Sequence, residues 1–172
     1  NFYLGGFVPK AEDARDTKDV LWNNLDFLSF HIRDFTGGTA GIEYLTGLNN
    51  FLDAGVGVGI YSKAVPSVYD GYVNSNGSEI EQSLKLRMVP MTATLRVLPL
   101  GRNRSLEPYV GAGLALINWR YTESGQFVDF TDGSIFRDTF PASGVATGPT
   151  VLGGIRVPMG GSSLGFEARW QD

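Results

Sequence analysis

Apolar and polar residues alternate with a period of two along most of this chain, most cleanly at Phe51-Leu-Asp-Ala-Gly-Val-Gly-Val-Gly-Ile-Tyr61. Leu52, Ala54, Val56, Val58 and Ile60 fall on one face of a strand, and Asp53, Gly55, Gly57, Gly59 and Tyr61 on the other. The first face is wholly apolar; the second is glycine, one acid and one phenol. The length fits a tilted strand crossing a bilayer, which takes roughly 9–11 residues.

The pattern recurs at Gly38 to Leu48, Leu106 to Leu116, Thr147 to Val157 and Ser163 to Trp170, with a less clearly phased strand from Asn1 to Pro9. Leu84 to Leu98 changes phase: Leu84, Leu86 and Met88 are apolar in one register, Met91, Ala93, Leu95 and Val97 in the other. A bulge at Val89-Pro90 is the expected cause.

Connections alternate between short and long. Asn49-Asn50, Pro99 to Ser105 and Met159 to Ser162 are short; Lys10 to Gly38, Ser62 to Ser83 and Arg120 to Val145 are long. Asn76-Gly77 and Asp132-Gly133 suit tight turns at the tips of the last two, whose strands would run on past a bilayer. The first opens with a polar run, Glu12 to Asp19, with a helical turn after Asp16 or Thr17 and an extended piece from Leu25 to Ile32. Tight turns at one rim and long excursions at the other are the rhythm of outer-membrane barrels. The expected fold is all-β: an antiparallel up-and-down transmembrane β-barrel in a single domain over 1–172, with eight strands expected and seven present.

Strand charges gather on the glycine-bearing faces: Glu43, Asp53, Glu107 and Glu167 against Arg96, Arg156 and Arg169, with Lys85 and Arg87 as additions. In a narrow barrel they can pair across the lumen, where an unpaired charge is costly. The opposite faces, including Leu52, Ala54, Val56, Val58, Ile60, Val110, Leu114, Val151, Ile155 and Phe166, would contact lipid. A soluble barrel with these apolar faces inward is the alternative. Its solvated faces would then carry the glycines, which weaken a strand unless something passes close by.

Composition narrows the picture. Gly numbers 23 of 172 residues, well above the usual roughly 7%. A net charge of −4 without a Lys/Arg run excludes a basic nucleic-acid surface. There is no Cys for a disulfide framework or thiolate metal site, and no apolar run approaches the roughly 20 residues of a membrane helix.

Phe51 to Gly59, Pro90-Met-Thr-Ala-Thr-Leu-Arg-Val-Leu-Pro-Leu100 and Glu107-Pro-Tyr-Val-Gly-Ala-Gly-Leu114 resemble the small eight-stranded outer-membrane barrels of the OmpA, OmpX and OmpW kind. The resemblance covers most of the chain. It implies a bacterial outer-membrane location and a role as anchor, adhesin, small-solute or hydrophobic-compound conduit, or, in a few members, lipid A enzyme. It also implies an even strand count. A final strand outside the chain, or one supplied by a partner, is therefore expected.

Candidate chemistry is sparse. Ser29 and His31 with Asp34 or Glu43 could serve a lipid A acyl hydrolase, although a rim histidine is the plainer reading. Asp70, Glu123, Asp129, Asp132 and Asp138 lack the spacing of a calcium loop. Asn76-Gly-Ser78 and Asn103-Arg-Ser105 match a glycosylation pattern, but turns account for them better. Tyr44, Tyr61, Trp119, Tyr121 and Trp170 lie near strand ends and suit interfacial girdles. Leu21, Trp22, Phe27 and Phe30, with Phe127, Phe130, Ile135 and Phe136, make the excursions apolar enough to cap the lumen or dock on another envelope protein. The expectation is a non-enzymatic barrel without cofactor or metal, plugged by ion pairs and meeting lipid and a protein partner. The alternative is a narrow conduit or binder for small hydrophobic compounds, which an apolar pocket beneath the long loops would favour.

Overall fold

The computed structural model describes residues 1–9, 28–102, 104–160 and 162–171. Its strands are β1 (Phe2–Phe7), β2 (Leu28–Ser29), β3 (Gly37–Gly47), β4 (Leu52–Val73), β5 (Glu79–Val97), β6 (Glu107–Val128), β7 (Ile135–Met159) and β8 (Ser162–Gln171), with a 3-10 turn at Ile32–Phe35. All join one antiparallel sheet in the order β1-β3-β4-β5-β6-β7-β8, and the two-residue β2 pairs with β4. The up-and-down antiparallel architecture is the one the alternation and turn spacing imply.

The sheet is rolled. Arg169 on β8 reaches Glu43 on β3 at 3.3 Å, yet these strands are five positions apart and would be about 24 Å apart in a flat sheet. One face of every long strand therefore lines a shared interior. β1 and β8 border an open seam: among the described residues β1 pairs only with β3, and β8 only with β7.

The second and third long excursions are continuations of the strands themselves. β4 and β6 each have 22 residues and β7 has 25, about twice the 9–11 that span a bilayer. Gly77, with φ of 83°, and Gly133, with φ of 74°, take the left-handed conformation at the two tips. Their N–H groups donate to the carbonyls of Asn74 and Asp129, each at 2.8 Å.

The expected bulge in β5 is absent. Pairing with β4 keeps one register from Val58↔Met91 to Tyr61↔Met88, and pairing with β6 is continuous across Val89 and Pro90. Pro90 lacks an N–H, so the ladder skips there without slipping. Even-numbered residues from Ile80 to Leu98 all face inward. What changes at Pro90 is the polarity of the interior: Thr92, Thr94 and Arg96 line one half, Leu84 and Leu86 the other. Lys85 and Arg87 are consequently exposed on the outside and do not join the interior charges.

The apolar half is filled. Leu28, Phe30 and Phe35 tuck under the walls made by Tyr61, Val65, Leu84, Leu86 and Tyr121, with Trp119 and Met88 against them. Phe35 is fully buried, and burying a side chain of this kind stabilises by about 1.5–3 kcal/mol. The Tyr61 hydroxyl donates to the Phe35 carbonyl, and the Ser67 hydroxyl to that of Ser29 at 3.3 Å. Of the five aromatics expected at the membrane interfaces, Tyr61, Tyr121 and Trp119 instead belong to this cluster. Tyr44 and Trp170 are exposed on the outer face. Odd positions point inward from Asp53 to Ser67 on β4 and from Glu107 to Tyr121 on β6, which carries those three rings inside.

Candidate functional site

The polar half of the interior holds two separate charge assemblies. In the first, Arg96 Nη2 lies 2.7 Å from Glu43 Oε2 and 2.9 Å from Glu167 Oε2. Arg169 Nη2 lies 2.7 Å from Glu167 Oε1 and 3.3 Å from Glu43 Oε1. The four side chains thus form a closed ring of alternating sign that ties β3, β5 and β8 together. Tyr109 donates its hydroxyl to Glu167 at 3.0 Å, and the Arg96 guanidinium lies 5.0 Å from the centre of the Tyr109 ring. Arg169 donates to Thr92 Oγ1 at 3.3 Å.

The second assembly is a chain. Glu107 accepts from Arg156 Nε at 2.8 Å and pairs with its Nη2 at 2.6 Å; Arg156 Nη1 then lies 3.4 Å from Asp53. Asp53 also pairs with Arg102. Arg102 comes from the short β5–β6 connection and donates its Nε to the Asn49 carbonyl at 3.0 Å. Each assembly combines two carboxylates with two guanidiniums, so each is neutral. Glu43, Asp53, Arg96 and Glu107 are buried, where losing one partner is far costlier than on the surface.

All seven charges singled out from the alternation lie in these assemblies. Arg102 is the addition. The sequence holds a partial signal for it, since four strand carboxylates face only three arginines; the structure adds that Asp53, the second residue of β4, lies beside the Pro99 to Ser105 connection, whose Arg102 N–H donates to the Asn50 carbonyl at 3.0 Å.

Glycine supplies the space. A Cβ on Gly55 would sit 2.9 Å from Thr94 Oγ1 and 3.3 Å from Glu43 Oε1, and one on Gly111 would sit 3.0 Å from Arg96 Cγ. At these two positions an acidic or basic side chain lies over bare backbone, while over Gly41 and Gly59 it is the Tyr3 hydroxyl, over Gly154 the Tyr109 ring and over Gly144 the Trp119 ring.

The outer face differs in kind. Val56, Val58, Ile60, Val110, Leu114, Val151, Ile155 and Phe166 are exposed, with Leu52 and Ala54 partly so. The outward positions of Leu52–Ile60, Val89–Val97, Pro108–Leu116, Pro149–Val157 and Leu164–Trp170 include no charged side chain. Shallow open grooves of 530 and 580 Å³ cross this belt beside β1, one lined by Leu4, Ala40 and Ile60, the other by Phe2, Tyr44, Val56 and Met91.

The remaining candidates disperse. Trp22, Phe27 and Leu21 lie outside the described residues. Phe30 is inside the apolar half. Phe127 packs on Phe136 and Phe140 at 5.7 and 4.7 Å between ring centres, while exposed Phe130 meets Tyr72 at 5.7 Å. Tyr69 meets Phe130 at 6.5 Å and also packs against the cluster that holds Leu28, Phe30 and Phe35, so among the described residues Phe130 connects to the first excursion, while Phe127, Phe136 and Phe140 pack on one another. His31 is exposed and lies 3.7 Å from Asp34, while Glu43 is committed to the arginine ring. Asp129 and Asp132 accept backbone N–H groups of the β6–β7 turn, from Thr131 at 2.8 Å and Ser134 at 2.9 Å. The Ser134 N–H holds the Asp132 carboxyl below its ordinary pKa. Among the described residues no group of three or more His, Cys, Asp or Glu side chains is placed to hold a metal ion.

Fold and interior define the class: an antiparallel up-and-down β-sheet rolled into a barrel-like shape around paired charges. No protein-family model matches the chain, and neither the curated proteins nor the solved structures yield a match.

Proposed function

We propose that this chain is a transmembrane β-barrel protein of a bacterial outer membrane, non-enzymatic and plugged, acting through the paired hairpin ends of β4–β5 and β6–β7 as a structural or interaction element. The kinship proposed is with the OmpA, OmpX and OmpW kind of small barrel. One observation carries the reading: an uncharged apolar belt outside strands whose inner faces hold neutral ion-pair assemblies. The same strands turned inside out would be a soluble barrel, and the burial runs the other way. Outward apolar residues in lipid avoid the roughly 2–4 kcal/mol that Arg or Lys costs at the bilayer midplane. Among the described residues no helix is long and apolar enough to cross a membrane.

A narrow conduit for small hydrophobic compounds is the second reading. It calls for an apolar pocket beneath the long excursions, and Leu28, Phe30 and Phe35 occupy that region, so the plugged reading is favoured. The test is refolding into liposomes, flotation, a gel with and without heating, and planar-bilayer recording. A floating, heat-modifiable and electrically silent species is expected. Failure to float defeats the membrane assignment; steady conductance steps defeat the plug.

A further inference from the structure

Just past the outer apolar belt, on the side of the long hairpins, three cations stand together on the outside of the sheet. The register puts Arg87 of β5 directly opposite Arg120 of β6, and Lys85 opposite Thr122. Small hydroxyl residues flank the arginine pair: Ser62 of β4 pairs with Arg87, and Ser143 of β7 with Arg120. Directly opposite residues have Cβ atoms about 4.5–5.5 Å apart and diagonal ones about 7–8 Å. Lys85 and both arginines, all exposed, can therefore converge on one small group.

Among the described residues no carboxylate pairs with any of the three, whereas every arginine of the interior assemblies has one. On the outer face of β4 to β7 the nearest acid is Glu81, about 13 Å up β5 from Lys85. That exceeds the screening length of about 8 Å at physiological salt. Like charges directly opposite each other on a ladder are destabilising. An anion seated between Arg87 and Arg120 removes that penalty, and a phosphate suits the two guanidinium forks.

The surface that adjoins the cations decides what carries the anion. Toward the short-turn rim the next outward positions are Ile60, Val89, Asn118 and Val145, and Met91 and Leu116 continue the belt below them. At the far end of the belt Leu52, Val97 and Val110 share a row without any cation. A free anion or an acidic peptide would use the cations and leave the apolar rows unused. A phosphorylated lipid uses both, with its head at the cations and its chains along the belt.

We propose that Lys85, Arg87 and Arg120 bind the phosphate group of one anionic lipid whose acyl chains lie on the apolar outer rows of β5 and β6. The site rests on the membrane reading, which makes those rows a lipid contact.

The refolded protein in a zwitterionic detergent is titrated with dimyristoyl phosphatidic acid and, separately, with dimyristoyl phosphatidylcholine, and the complexes are read by native mass spectrometry. One phosphatidic acid per chain should be held about tenfold more tightly than phosphatidylcholine, or better. Arg87→Gln/Arg120→Gln should abolish that preference with the circular dichroism of the sheet unchanged. Each single arginine variant and Lys85→Gln should weaken it, which keeps the test readable where the pair does not refold. Arg137→Gln, at an exposed outward position opposite Gln126 and farther from the belt, should leave it intact. Equal affinity for the two lipids would overturn the proposal. So would a loss for Arg137→Gln as large as for the double variant, or inorganic phosphate or hexaglutamate binding as tightly as the lipid. Flotation in pure phosphatidylcholine vesicles reads the membrane assignment separately. A chain that floats there without preferring phosphatidic acid loses only this site, and one that does not float loses the membrane assignment itself.

Discussion

Arg96 touches both carboxylates of its ring, and its side chain is about 4% exposed. Arg96→Ala strands Glu43 and Glu167 around a gap with only Arg169 between them. The expected loss is about 3–5 kcal/mol, the usual cost of breaking a buried pair from one side, read as a lower urea midpoint in the refolded state. Arg102→Ala should cost clearly less, because Arg102 is 30% exposed and Asp53 keeps Arg156. Equal losses would show that the two assemblies are not distinct in burial. At the β6–β7 tip, Asp132 accepts the Ser134 N–H and has a lowered pKa. A group whose pKa is depressed on folding contributes above its unfolded value and loses that contribution as pH falls through the folded one. The turn should therefore hold at neutral pH and loosen only under acid, seen as an Asp132 carboxyl titration by NMR below the ordinary aspartate range. Asp132→Asn should abolish that titration.

Hairpins are where the amino-acid pattern is most legible, because two-fold alternation and Asn-Gly or Asp-Gly turns report strand and reversal together. β3, β4 and their tight turn follow directly from Gly38 to Tyr61. β5 shows what alternation conceals. It reports a change of polarity, and a register slip and an inversion of the environment leave the same trace. Leu84 and Leu86 look outward by analogy with Leu95 and Val97, yet they pack in one cluster with Phe30 and Phe35, brought there by the last part of the first excursion. That contact is long-range and has no local signature. Arg102 escaped for a related reason: it sits in a turn, where no alternation assigns a face. Substitution separates the two accounts of β5. Leu84→Ala should cost about 2–5 kcal/mol as a buried leucine, while Lys85→Glu should stay within about 0.5 kcal/mol as an exposed one. Reversed magnitudes would restore the bulge.

For the molecule as a whole, the outer belt and the inner charges make opposite demands on their surroundings. Leu114→Arg places a cation in the outward row that Val56 and Ala93 share across the ladders. In lipid it should destabilise by about 2–4 kcal/mol, falling toward zero for charges nearer the interfaces. Urea titrations in liposomes measure this, and an unchanged midpoint would count against the belt as the lipid contact. The two neutral assemblies also bear on how such a sheet is built. Glu43 meets Arg96 once β5 is in place, Asp53 meets Arg102 in the connection that follows, Glu107 meets Arg156 on the next hairpin, and β8 brings Glu167 and Arg169 together. After the β3–β4 hairpin, which carries Glu43 and Asp53, β5 and its connection bring the counter-ions, and the β6–β7 hairpin and β8 each arrive self-compensated. The interior charge of these assemblies in a sheet growing in chain order is therefore largest at the β3–β4 hairpin, which holds two carboxylates and no arginine, and falls to zero once β5 and its connection bring Arg96 and Arg102, so that first hairpin is the one step that gains most from waiting for the strand after it.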